Sequence, residues 1–111
     1  MDARLPAHLE VSGLLRMAEA NGGFAMVLAK GERDAGTILV LTMQKGENRV
    51  LFERMPQLDG SRKFVAVRTQ GSDNAGEFDE YLDRRKRQDS DTWIVEVDIA
   101  NPERFIATLN P

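Results

Sequence analysis

The sequence contains no cysteine in its 111 residues, which removes disulfides, zinc–thiolate sites and thiolate nucleophiles together. Its one histidine, His8, sits at a helix start beside Pro6, where it reads as a solvated or capping side chain. A single imidazole supplies no multi-histidine metal site. With no Gly-x-Ser-x-Gly elbow around Ser12, Ser61, Ser72 or Ser90, it gives no nucleophilic triad either. Neither a metal nor a cofactor is expected. Long apolar runs are missing too: Phe24–Ala29 and Ile38–Leu41 fall far short of a membrane span. The N-terminal MDARLPAHLEVSGLLRM places acids and a proline where a signal peptide needs continuous apolar residues. A cytoplasmic protein is the expectation. Cations are not in excess: the net charge of −3 argues against a dedicated nucleic-acid binder.

What is present describes one ordinary globular domain spanning residues 1–111, with 41% apolar residues and charges spread along the chain. Val11, Leu14, Leu15 and Ala18 recur at helical spacing and predict a helix from Pro6 to Asn21, stopped by Gly22-Gly23. Gly13 within it suggests a close contact with a sheet. Phe24–Ala29 and Thr37–Met43 are apolar at odd and even positions alike, as central strands covered on both faces would be. Strands at Arg49–Met55 and Lys63–Arg68 follow. A helix from about Asn74 to Gln88 carries Phe78, Tyr81, Leu82 and Arg85 on one face. In the strand Thr92–Ile99, Trp93, Val95, Val97 and Ile99 share one side. Asn101-Pro102-Glu103 opens a short C-terminal helical turn that pins Phe105 and Leu109.

The element order α-β-β-β-β-α-β with short early connections predicts an α+β fold, a mostly antiparallel sheet of about five strands with two main helices. Five strands at about 4.8 Å spacing are roughly 24 Å wide. Two helices of about 10 Å each therefore cover only one face of that sheet. Either the helices lie on opposite faces or a second subunit covers the remainder, and a homodimer is the expected assembly.

KGERDAGTILV (residues 30–40) has four residues between Gly31 and Gly36, as a phosphate-binding loop does. Thr37 and Ile38 replace the Lys-Ser/Thr of that motif, and a strand follows instead of a helix. The segment reads as a hairpin connection, with the glycines supplying permissive dihedrals and Asp34 capping the turn. Its tip residues Lys30, Glu32, Arg33 and Asp34 are candidates for contact with a partner.

Arg49, Arg54, Arg62 and Arg68, with Lys63, fall on or beside the third and fourth strands and form a candidate anion-binding face. Arg84-Arg85-Lys86-Arg87 is a second basic cluster, but Asp73, Glu77, Asp79 and Glu80 precede it, which matches a helix macrodipole. Glu47, Glu53, Glu96 and Asp98 alternate with apolar positions as a solvated sheet face would. Asp89-Ser90-Asp91 lacks the later ligands of a calcium loop and reads as a turn.

The segments LEVSGLLRMAEANGGFAMVLAKG, GERDAGTILV and DTWIVEVD resemble the alphaproteobacterial proteins grouped as domain of unknown function family 1491. Members of that family often carry Arg-Gly-Asp before the 34–36 turn and Asp-Pro-Asp before the tryptophan strand. Here Lys30-Gly31-Glu32 and Asp89-Ser90-Asp91 stand in those places. The resemblance implies a small bacterial cytoplasmic protein and brings no activity, cofactor or catalytic residue. A non-catalytic binding or protein-interaction module, homodimeric, is the expected function. The alternatives are nucleic-acid or phospholigand binding through the two cation sets, and a small enzyme using carboxylates such as Asp34.

Overall fold

The structure, a computed structural model, describes residues 5–71 and 74–110; Ser72 and Asp73 lie outside that range. Helix α1 spans Ala7–Ala20 and buries Ala7, Val11, Leu14 and Ala18, close to the expected stripe. Asn21 ends it and Gly22, at φ +82°, makes the left-handed turn into the first strand. Gly13 meets nothing within 4 Å, so the close contact expected there does not exist.

The five strands are β1 Phe24–Ala29, β2 Ile38–Gln44, β3 Glu47–Pro56, β4 Arg62–Thr69 and β5 Trp93–Asp98. They form one sheet in the order β1-β5-β2-β3-β4. Pairs β1–β5, β2–β3 and β3–β4 are antiparallel, and β2–β5 is parallel. The mostly antiparallel α+β architecture is therefore as expected, but the neighbours of β1 are not. The 30–37 segment does not fold β1 back on β2: β5 lies between them, and the segment passes over the entry to β5. Nor is β1 central; it is an edge strand. Only β2 has the doubly covered character predicted for both, with Ile38 through Met43 all buried.

Helix α2 spans Ala75–Gln88 and α3 spans Pro102–Leu109. The C-terminal element is thus a true helix of 8 residues, not one turn; Asn101 caps it through the Arg104 amide, and Ile106 joins Phe105 in the core. The helices lie on opposite faces of the sheet. Residues of α1 and α3 pack with Ile38, Val40, Val95 and Val97 on one side. Phe78 and Leu82 of α2 pack with Leu39, Leu41, Leu51 and Ile94 on the other. Burying each of these two α2 side chains contributes roughly 1.5–3 kcal/mol. They are the only buried residues of α2, so polar contacts at its flanks add materially to its hold on the sheet.

Candidate functional site

The 30–37 segment ties much of its backbone to α1, β5 and its own Glu32 side chain. Gly31 and Gly36 are not needed for left-handed dihedrals; a Cβ on either would overlap the Asp91 carbonyl, so their role is close approach to the start of β5. Glu32, not Asp34, caps the turn by accepting from the Asp34 amide at 2.8 Å and from the Ala35 amide. The Glu32 amide donates to the Asp91 carbonyl at 3.0 Å, and Trp93 Nε1 donates to the Glu32 carbonyl at 2.6 Å. Helix α1 begins after Pro6 with no side-chain cap. Its first amides, Ala7 and His8, donate instead to the carbonyls of Asp34 and Arg33, each at 2.9 Å. His8 Nδ1 also lies 3.1 Å from the Arg33 carbonyl, so its ring ties the helix start to the 30–37 segment and does not cap the helix. Lys30, Glu32, Arg33 and Asp34 are all exposed, while the Glu32, Asp34 and Ala35 amides already have partners within the protein.

The four strand arginines do not form one face. Strand pleating puts Arg49 and Arg68 on the α2 side, with Leu51, and Arg54 and Arg62 on the α1 side, with Phe64. Arg49 pairs with Asp79 at 2.7 Å, bonds Gln70 at 3.0 Å and covers the Phe78 ring. Arg54 binds both oxygens of Glu10 and stacks over Phe64. Arg54 and Arg62 meet the exposed tip residue Asp34 along a cleft of about 320 Å³ beside Pro6 and Glu10. The cleft thus unites two predicted sets, the turn tip and half of the strand arginines.

On the α2 side Arg68 stacks on Tyr81 with its guanidinium carbon 4.3 Å from the ring centroid. Arg84 and Arg85 approach the same ring at 5.8 and 5.9 Å. Arg85 donates to Glu53 at 2.9 Å and to the Tyr81 hydroxyl at 3.1 Å. The Glu53 carboxylate beside it, with Tyr81, holds the Arg85 guanidinium above its ordinary pKa. Glu53 is therefore an ion-pair partner under α2 and not part of a solvated face. Asp98 likewise has a task, accepting the amides of Lys45 and Gly46 at 2.8 and 3.0 Å and bracing the β2–β3 turn. The Asp89–Asp91 segment is the turn predicted, with Asp89 Oδ1 accepting the Asp91 amide.

The feature sequence reasoning missed is the β1 edge. One side of β1 pairs with β5 and the other side ends the sheet. Phe24 is 81% exposed and Met26 53% exposed, on the face they share with Glu96 and Asp98 of β5. Leu28, on that face too, is partly packed under α2's side of the core. On the opposite face a groove of about 410 Å³ lies between α1 and the end of β1, lined by Ser12, Leu15, Val27 and Lys30 among others. No charge and no proline interrupts FAMVLA from residue 24 to 29, which was the available sign.

Comparison with known proteins gives a family and no activity. The model of the protein-of-unknown-function family DUF1491 matches residues 5–107. A crystal structure of a DUF1491 family protein from Caulobacter crescentus is 33% identical, covers 86% of this chain and 88% of its own, and superposes with a TM-score of 0.74. An NMR structure of a DUF1491 family protein from the same organism is 30% identical over 92% of both chains, with a TM-score of 0.75. The solution structure of protein Atu0922 from A. tumefaciens is 34% identical over 86% of both chains, with a TM-score of 0.68. No curated protein matches. Among the described residues no helix is long and apolar enough to cross a membrane. With the family model matched over residues 5–107 and family structures at 30–34% identity over most of the chain, the chain belongs to the DUF1491 family.

Proposed function

We propose that the protein is a non-catalytic, cytoplasmic protein-interaction module that forms a homodimer by joining the β1 edges of two copies. The observation that carries this reading is the uncharged edge strand with Phe24 and Met26 in water. Such an edge offers unpaired amides and carbonyls together with apolar side chains, the two things strand addition needs.

A two-fold axis perpendicular to the sheet pairs the strands antiparallel and keeps each face continuous. Opposed residues then share a face, so one β1 residue must sit on the axis. With Met26 there, Phe24 of each copy faces Leu28 of the other. Antiparallel pairing also sets the Lys30 end of each strand against the Phe24 end of its mate, beside Asp98, whereas parallel pairing would oppose Lys30 to itself. Burying two Phe24 and two Met26 side chains contributes roughly 6–12 kcal/mol. Association costs about 4–15 kcal/mol, so the dimer is expected to dissociate on dilution. What weighs against a carboxylate-dependent enzyme is that Glu10 is already bound by Arg54 and Asp34 is exposed.

Size-exclusion chromatography with light scattering, run over a dilution series, tests the assembly. A mass near twice 12.4 kDa at high micromolar concentration is expected, falling on dilution. A strict monomer throughout refutes the homodimer.

A further inference from the structure

We infer that Arg68 and Arg84, with the Tyr81 hydroxyl, form a binding site for a phosphate monoester. Three guanidinium groups converge on the one tyrosine ring, from β4 and from the last turns of α2. Among the described residues one carboxylate, Glu53, pairs with any of them, and it is engaged by Arg85. Arg68 and Arg84 are exposed and make no ion pair among the described residues. An aromatic face attracts a cation, by about 0.5–1 kcal/mol at an exposed site, but it does not cancel the mutual repulsion of neighbouring guanidiniums. An anion does. The planar fork of arginine matches the oxygens of a phosphate, and two forks from different elements define a place for it.

Tyr81 adds a directed donor. Its oxygen already accepts from Arg85, which leaves the phenolic proton for a ligand oxygen. Arg85 itself is the fixed member, tied to Glu53, that orients the ring.

The charges around the site select the kind of phosphate. Glu77, Glu80 and Asp83 project from the same helix, Glu53 lies beneath it, and the whole chain carries −3. A long polyanion must run past these acids, whereas a small dianion needs only the guanidiniums around the Tyr81 ring. A monoester dianion also gains more from two guanidiniums than a singly charged diester does. The site lies on the α2 face toward β4, at the opposite end of the sheet from β1, and stands independently of dimerisation.

The test is a ¹H–¹⁵N NMR titration of the full chain at constant ionic strength, first with inorganic phosphate, then with adenosine 5′-monophosphate, then with a short oligouridylate. Saturable shifts confined to residues 66–69 and 80–86 are expected with the first two. Arg84→Gln, an exposed change that removes no ion pair among the described residues, should weaken them about tenfold, the loss of one charge-assisted hydrogen bond. Arg68→Gln/Arg84→Gln should abolish them. Shifts that chloride reproduces, or that Arg84→Gln leaves unchanged, overturn the site. Tighter binding of the oligouridylate than of the mononucleotide overturns the choice of a monoester.

Discussion

The sheet ends in two strands that treat their open sides in opposite ways. The β4 edge, RKFVAVRT, carries Arg62, Lys63 and Arg68, all exposed. The β1 edge, FAMVLA, carries no charge at all and exposes its largest residues. Charged side chains on an edge strand discourage pairing with another chain, because the added strand must desolvate or crowd them. One end of this sheet is thus closed to strand addition and the other is open. In the proposed dimer that asymmetry would limit growth: two copies joined at β1 would present only β4 edges outward, and assembly would stop at two.

The largest expected effect comes from erasing the difference at β1. Met26→Lys places like charges opposite each other at the two-fold axis, and light scattering should report a monomer at every concentration where the parent chain is dimeric. Erasing it at β4 should do the reverse. Lys63→Val/Arg68→Thr makes the second edge resemble the first, and species larger than a dimer are expected in the same measurement. Third is the link that carries the chain from β1 across β5. Gly36→Ala forces a methyl group against the Asp91 carbonyl and the Trp93 ring, a cost of about 1–3 kcal/mol in denaturant unfolding. Gly13→Ala, in open space within α1, should instead add roughly 0.5–1 kcal/mol.

The smallest effect lies in the turn that joins β3 to the β4 edge. The Ser61 hydroxyl and amide donate to Asp59 Oδ1 at 2.6 and 2.9 Å and hold its pKa below 3.8. A folded-state pKa below the unfolded one adds stability that is present above pH 3.8 and lost as the pH falls through the lowered value. Asp59→Asn should remove that acid-side slope from a plot of stability against pH. An unchanged slope would show that the Ser61 contacts carry none of it.

Much of the fold was legible because local chemistry wrote it. Asn21-Gly22-Gly23 marked the end of α1, the period-two run from Trp93 marked β5, and Asn101-Pro102 marked the start of α3. Strand neighbours were not legible. An unbroken apolar run looks the same whether its second face meets a helix, as in β2, or water, as in β1. Eight residues between two such runs resemble a hairpin loop unless one knows that a distant strand lies between them. The split of the arginines was available in principle, since 49 and 54 differ by an odd number and must point to opposite faces. What no local pattern announces is a glycine kept for closeness. Gly31 and Gly36 look like turn glycines, yet it is the Asp91 carbonyl, some 60 positions away, that excludes a side chain there.

The insertion of β5 between β1 and β2 also sets the order in which the sheet can be completed. Strands β2, β3 and β4 follow one another and pair through local turns, so this meander can close as soon as it is synthesised. β1, made before any of them, has no neighbour in the sheet until Trp93–Asp98 leaves the ribosome. During that interval its apolar strand is open on both sides. The last strand therefore acts as a latch, joining the earliest part of the chain to the rest, and folding intermediates that lack it should be the ones that chaperones recognise.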